Sequence, residues 1–193
     1  MFVQFIEGPI DDPKALRDRL DRWRDDLAAG SGWAGTTAGV TDEGTAFVAA
    51  RFESAEAARA NSDRAEQSEW WAETERLFGG QVSFEDHEDV STFRSGGSDD
   101  AGFVQVIRGK VNDVDTAREL MVEMPDDIRP DVIGGLVGLA PDGTYTTVVY
   151  FTSEAAAREG ETDEGDEFSE QMNALHDQPP RFLDLPDPWM WSP

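Results

Sequence analysis

The stretch Phe103–Gly109, Phe-Val-Gln-Val-Ile-Arg-Gly, rewrites the stretch Phe2–Gly8, Phe-Val-Gln-Phe-Ile-Glu-Gly, with five of the seven positions identical. Agreement that dense, about a hundred residues apart, marks an internal repeat, which constrains architecture more than any local propensity does. The match continues downstream, where Gly35, Gly39, Gly44, Thr45, Phe52 and Ser54 recur 99 positions on as Gly134, Gly138, Gly143, Thr144, Phe151 and Ser153. The 193 residues thus read as a first copy over 1–94, a Gly/Ser/Asp-rich linker over 95–101 and a second copy over 102–193. Halves of roughly 90 residues lie near the lower limit for a self-sufficient core, so the two are expected to share one.

Each copy opens with a β-rich run, Phe2–Glu7 in the first, which Gly8-Pro9 stops. A helix follows: Asp12 suits its N-cap, Pro13 its first position, and Leu16, Leu20, Trp23 and Leu27 recur on one face. In the second copy Asp113 is the cap, Ala117, Met121 and Met124 take the apolar places, and Pro125 ends the helix. Two strands and a tight turn come next, Trp33–Val40 and Ala46–Phe52 across Thr41–Gly44, answered by Ile133–Leu139 and Tyr145–Phe151 across Ala140–Gly143. Paired glycines inside the earlier strand predict a bend or a close backbone approach.

Ser54 and Ser153 cap second helices. The first runs unbroken through Asn61, Trp70, Trp71 and Leu77, while the second is interrupted by Gly160 and the acidic run Glu161–Glu167 before Phe168, Met172 and Leu175 resume the stripe. Each copy closes with a strand, Gln81–Phe84 or Arg181–Leu185, and an apolar coda, Val90–Phe93 or Trp189–Trp191. The order β-α-β-β-α-β is ferredoxin-like, of α+β class, with both helices on one face of an antiparallel sheet. Packing the two bare sheet faces together would cover both and would explain why the unit occurs twice. Gln4 and Gln105 are then expected to hydrogen-bond within that sheet interface, since buried amides need partners.

Composition narrows the function classes. There are 41 acidic residues against 16 basic ones, only Lys14 and Lys110 being lysines, for a net charge of −25. Such a field repels phosphate backbones and anionic lipid, so neither nucleic acid nor membrane is an expected partner. The run Glu85–Asp89 reads as solvated acidic surface, its histidine included. With no cysteine, and only His87 and His176, no metal site is expected. The longest apolar runs are strand-sized, which points to a cytoplasmic protein.

With the element order, the Phe-x-Ser start of the second helix followed by Glu56-Ala57-Ala58-Arg59 or Ala155-Ala156-Ala157-Arg158, and a coda after the fourth strand, each half resembles the dimeric α/β-barrel superfamily. The likeness is greatest to its antibiotic-biosynthesis-monooxygenase-like domains. The resemblance implies an intrachain pseudo-dimer that is a monomer or weak homodimer, a pocket between helices and sheet in each half, and codas that reach across to the opposite half.

Three functions follow from the resemblance: a monooxygenase without metal or flavin, acting on a small aromatic or carbonyl compound; a non-catalytic small-molecule-binding or stress-associated barrel; and a haem-binding protein of the chlorite-dismutase-like kind. The haem-degrading branch uses Asn at the end of the first strand, then Trp and His on the second helix. Here the strand position is Glu7 or Arg108 and the helix lacks the histidine, so no cofactor is expected. The cofactor-free branch binds its substrate with Asn, Trp, Tyr and Arg, which singles out Asn61, Trp70 and Trp71 in the first copy. Arg108, Tyr150 and His176 are the second-copy candidates. An Asn amide can hydrogen-bond a developing oxyanion, and an indole can stack on a planar ligand. Adjacent tryptophans on one helix are expected to place at most one in a pocket. The longer helix of the first copy places the expected ligand there.

Overall fold

Asp12, Ser54, Asp113 and Ser153 each accept a backbone N–H at the start of a helix, from Ala15 at 2.9 Å, Ala57 at 3.1 Å, Thr116 at 3.0 Å and Ala156 at 3.2 Å. These four caps start the helices where the repeat predicts them. The computed structural model describes residues 1–97, 99–123, 130–161 and 167–193. Its first copy runs β1 (Phe2–Pro9), α1 (Pro13–Asp26), β2 (Trp33–Val40), β3 (Thr45–Phe52), α2 (Ala55–Ser62), α3 (Ala65–Thr74) and β4 (Ser83–His87), with coda β5 (Val90–Phe93). The second runs β6 (Phe103–Lys110), α4 (Val114–Glu123), β7 (Val132–Leu139), β8 (Thr144–Phe151), α5 (Glu154–Glu161), α6 (Glu167–Ala174) and β9 (Arg181–Leu185), with coda β10 (Trp189–Trp191). The residues Met124 and Pro125, and 162–166 of the acidic run, lie outside the described residues.

The strands form two antiparallel sheets, ordered β10-β2-β3-β1-β4 and β5-β7-β8-β6-β9. Each contains the ferredoxin-like order of its own copy plus the coda of the other. Trp189 pairs with Ala38 and Trp191 with Thr36, while Val90 pairs with Gly138 and Phe93 with Gly135. The compact units are therefore 1–88 with 187–193, and 89–186. The repeat ends in the 95–101 stretch, but contacts change hands earlier because each coda completes the edge of the other copy's sheet.

The paired glycines mark both a bend and a close approach. Strand register shifts between Trp33 and Gly35 and again between Val132 and Gly134. Gly35 has φ +124°, and a Cβ there would lie 3.1 Å from the Trp191 carbonyl oxygen and against the Arg51 guanidinium. At Gly134 a Cβ would meet the Arg94 carbonyl and lie 3.2 Å from that of Phe93. Each glycine thus leaves room for the end of the exchanged coda. Gly35→Ala is expected to cost about 2–3 kcal/mol, from the strained φ and the contact together. A shift in the midpoint of chemical unfolding measures it.

In the first unit β1 and β3 alternate. Phe2, Gln4, Ile6, Val48, Ala50 and Phe52 face the helices, and Val3, Phe5, Phe47 and Ala49 line the other face, where all four are buried. Leu16 and Trp23 of α1 are buried on the helix side, with Leu20 and Leu27 packed against them.

Two expectations need correction. The second helix of the first copy is not continuous: α2 ends at Ser62, Arg64 is extended at φ −72°, ψ 137°, and α3 begins afresh. The Arg64 guanidinium donates to Leu27 O at 2.8 Å and Asn61 Oδ1 at 3.2 Å, which fixes the corner. Nor is Glu85–Asp89 simply solvated surface. Its first part is strand β4, and alternation turns His87 inward, 2 % exposed, edge-on to Phe5 with ring centroids 5.4 Å apart. Its Nε2 lies 2.7 Å from the Glu85 carboxylate. Among the described residues no helix is long and apolar enough to cross a membrane.

Candidate functional site

Between α1, α2, α3 and the sheet of the first unit lies a cavity of about 260 Å³. Its floor is the helix-side row of β1 and β3, and Phe84 of β4 stands at its margin, half exposed. The walls are Leu20 and Trp23 of α1, Asn61 and Ser62 of α2, and Gln67, Ser68, Trp70 and Trp71 of α3. Asn61, Trp70 and Trp71, singled out from the sequence, therefore share one pocket.

Both tryptophans line it, contrary to the expectation of one. Their indoles lean different ways from neighbouring positions, with ring centroids 6.3 Å apart. Trp70 packs toward α1, 6.5 Å from Trp23, while Trp71 turns to the margin, edge-on to Phe84 at 5.0 Å. The α1–α3 wall is clamped: Arg19 donates to Trp70 O at 2.7 Å and Thr74 Oγ1 at 3.2 Å, and its guanidinium lies 5.4 Å from the Trp70 ring. Trp70 Nε1 returns a bond to Arg19 O at 3.3 Å, so this indole offers a ligand its face and not its N–H.

The polar groups are few and oriented by neighbours. Trp23 Nε1 donates to Gln67 Oε1 at 2.6 Å. Asn61, only 4 % exposed, accepts from Arg64 through Oδ1. Its Nδ2 has no hydrogen-bond partner among the described residues. Gln4 and its second-copy counterpart Gln105 lie on the helix face, not within a sheet interface, and each donates to the carboxylate of the neighbouring edge strand, Asp86 at 2.8 Å and Asp184 at 3.0 Å. None of the side chains lining this pocket titrates, and among the described residues no cluster of three His, Asp or Glu is placed to hold a metal ion.

The second-copy candidates do not converge on a helix-side pocket. Phe103 and Phe151 pack with Ala157 of α5, so alternation turns Arg108 and Tyr150 to the sheet face away from the helices. Arg108 donates from Nε to Thr146 Oγ1 at 3.2 Å, and Tyr150 is buried. His176 follows α6 with both ring nitrogens engaged: Nδ1 donates to Met172 O at 2.7 Å, which leaves Nε2 to accept from the Tyr145 hydroxyl at 2.6 Å. Burial pushes the Tyr145 phenol up to about 12. Above the Gln105–Asp184 pair, Arg158 lies 5.3 Å from the Phe103 ring and bonds the Asp184 carboxylate. In the first copy the corresponding Arg59 is exposed. Haem titration is therefore expected to give no sharp Soret band, and a band lost on replacing either histidine would contradict this.

Sequence reasoning missed Gln67, Ser68, Phe84 and Asp86, because their relation to the pocket depends on helix placement and strand register. Phe84 alone carried a signal, a single large aromatic in a short, otherwise polar strand.

No protein-family model and no curated protein sequence matches the chain. Solved structures do. A candidate monooxygenase from Lactobacillus acidophilus superimposes with TM-score 0.70 at 12 % identity, covering 99 % of each chain. An anthrone oxidase-like protein gives TM-score 0.67 at 12 % identity, covering 99 % of this chain and 92 % of that one. A Listeria monocytogenes ferredoxin-fold protein related to antibiotic biosynthesis monooxygenases gives TM-score 0.50 at 9 % identity, covering 100 % and 95 %. At these identities the likeness is one of fold: the chain carries, in two copies, a ferredoxin-like fold of the kind these structures show.

Proposed function

We propose that the first unit binds a small aromatic or carbonyl compound in its aromatic-walled pocket and oxygenates it with dioxygen, without metal or flavin. The observation that supports this reading most is the Asn61 amide, whose Nδ2 opens onto a pocket walled by tryptophan and phenylalanine rings and has no hydrogen-bond partner among the described residues. A donor held in this orientation by Arg64 is available to a ligand oxygen. The cavity lies just below the usual range for ligand pockets, roughly 300–1,000 Å³, which restricts the ligand to a small, mostly apolar molecule.

In the reaction that suits these walls, an activated methylene next to a ring and a carbonyl loses a proton to give an enolate. Asn61 holds the enolate oxygen. The enolate passes an electron to dioxygen, the two radicals join as a peroxide, and loss of water leaves a new carbonyl. One methylene and one dioxygen thus become one carbonyl and one water, the methylene carbon being oxidised and the dioxygen reduced. With no titratable side chain in the lining, the substrate's own acidity must supply the anion, and water at the margin takes the proton. The same lack of a base favours the second reading, a pocket that binds without turnover.

Titrating 2-tetralone and anthrone while following tryptophan fluorescence and oxygen uptake separates the two. Uptake above the protein-free rate, one dioxygen per ketone, supports oxygenation. Saturable quenching without uptake supports binding alone. Neither response would remove the pocket reading.

A further inference from the structure

Four of the six tryptophans stand in one line of ring contacts within the first unit. Trp33 of β2 meets Trp23 of α1 with ring centroids 5.8 Å apart, Trp23 meets Trp70 of α3 at 6.5 Å, and Trp70 meets Trp71 at 6.3 Å. Each step lies within the range of aromatic contact. The rings therefore touch in series from the buried core, where Trp23 and Trp33 lie, along the cavity wall to its margin. Indole is also among the side chains that give up an electron most readily.

The polar surroundings give this line a direction. An indole that has lost one electron is a cation with an acidic ring N–H: the charge stays mobile while that proton is kept and is fixed once it leaves. Trp33 Nε1 donates to the Thr36 hydroxyl at 2.8 Å, Trp23 Nε1 to the Gln67 amide oxygen at 2.6 Å, and Trp70 Nε1 to the Arg19 carbonyl at 3.3 Å. None of these neutral acceptors keeps a proton at ordinary pH. Trp71 Nε1 bonds no group among the described residues and is not shut off from water, which can carry its proton away. The Arg19 guanidinium, 5.4 Å from the Trp70 ring, opposes a positive charge there, an effect that Glu73 offsets in part. On the next ring no such cation is placed: α3 carries Glu66, Glu69 and Glu73 and no basic residue.

We propose that the four indoles form a path for one-electron oxidation, which carries a positive charge from the core and the cavity wall to Trp71 and there meets a reductant in solution. The path stands on the ring contacts, whatever the cavity binds. In the oxygenation described above, a carbon radical that escapes its partner adds dioxygen and becomes a peroxyl radical. The peroxyl radical takes one electron from Trp70 and one proton from water, and leaves as a hydroperoxide. Trp71 returns the electron to Trp70 and releases its Nε1 proton to water. The net change is one hydrogen atom moved from Trp71 to the peroxyl group. A thiol in solution then gives a hydrogen atom back to Trp71 and becomes a thiyl radical.

The test uses ultraviolet light that ejects electrons from indole, which oxidises tryptophans wherever they lie, in aerated buffer without ligand. Peptide mapping by mass then locates the N-formylkynurenine formed. In wild type the product is expected at Trp71, with Trp23 and Trp33 spared. Trp70→Phe keeps an aromatic ring but removes the link, so charge on Trp23 and Trp33 stays where it forms. Those two should then carry the larger share of the product among the three linked residues left. Trp189 and Trp191, joined to the line by no ring contact among the described residues, are the internal standard. Gln67→Glu leaves every ring in place and gives Trp23 Nε1 an acceptor that keeps the proton, so product should shift from Trp71 to Trp23, an effect that exposure alone does not produce. Comparable product on all four linked tryptophans in wild type, sparing of Trp23 and Trp33 in a folded Trp70→Phe, or product still confined to Trp71 in Gln67→Glu overturns the path. Where Trp70→Phe unfolds, Gln67→Glu decides. No ligand takes part, so each of these results leaves the pocket reading as it stands.

Discussion

A chain ending at Pro186 is expected to melt roughly 12–24 °C below the full-length protein. Residues 189–191 form the outer strand of the first sheet, where Trp189 and Trp191 are 6 % and 7 % exposed. Trp191 Nε1 donates to Asp21 Oδ1 on α1 at 2.8 Å, and the Arg17 guanidinium lies 5.6 Å from the Trp189 ring. Truncating one buried tryptophan costs about 3–5 kcal/mol, so losing two costs at least about 6. In a protein of this length each kcal/mol moves the melting temperature by about 2–4 °C. Total stabilities run about 5–15 kcal/mol, so the truncated chain is close to unfolding. Removing only residues 192–193 should leave the melt unchanged. A shift under about 5 °C on removing 187–193 would show that the sheet does not depend on this strand.

Replacing Asn61 should separate binding from turnover. Asn61→Ala removes a donor that lines the cavity and has no partner among the described residues. If the first unit oxygenates its ligand, an oxyanion donor of this kind contributes about 10²–10³ in kcat. Ground-state affinity depends on the same bond only as a neutral hydrogen bond, about tenfold or less. Oxygen uptake at saturating ketone is therefore expected to fall at least a hundredfold while the quenching midpoint moves by tenfold or less. Equal losses in both would mean that Asn61 only holds the ligand, which is the outcome the binding-only reading requires. Trp71→Phe, which keeps an aromatic wall beside Phe84, should change kcat little.

What is legible in the sequence is what local chemistry decides. Asp12, Ser54, Asp113 and Ser153 cap helices because their side chains reach nearby backbone, and Gly44 and Gly143 turn hairpins at φ +81° and +87° for reasons contained in a few residues. The repeat supplies the rest of the fold, since two weak patterns in the same order reinforce each other. The helix break at Asp63-Arg64 is not legible, because no glycine or proline marks it and the Arg64 bond that holds the corner reaches a carbonyl 37 residues away, Leu27 O. His87 escapes a reading that weighs charge before period: in a strand every second side chain shares a face whatever its neighbours carry. In the pocket, residue types point to Asn61, Trp70 and Trp71, but the Gln4–Asp86 pair requires the β1–β4 register. Arg108 and Tyr150 leave the helix side because the parity of their strands decides their face.

The exchange of the terminal strands also bears on how the chain is made. The strand that completes the first sheet follows nearly all the rest of both copies, so β2 emerges from the ribosome with one edge unpaired and keeps it until β10 is made. Pairing residues 36–38 with 189–191 closes a very long loop, and contacts so distant in sequence form late and slowly. Through that interval the nascent first copy displays an open edge to which a neighbouring chain's tryptophan-bearing tail could add in place of its own. Yield in expression should therefore depend on how promptly β10 is delivered, and slow translation of the stretch just before it should favour entangled pairs of chains over single ones.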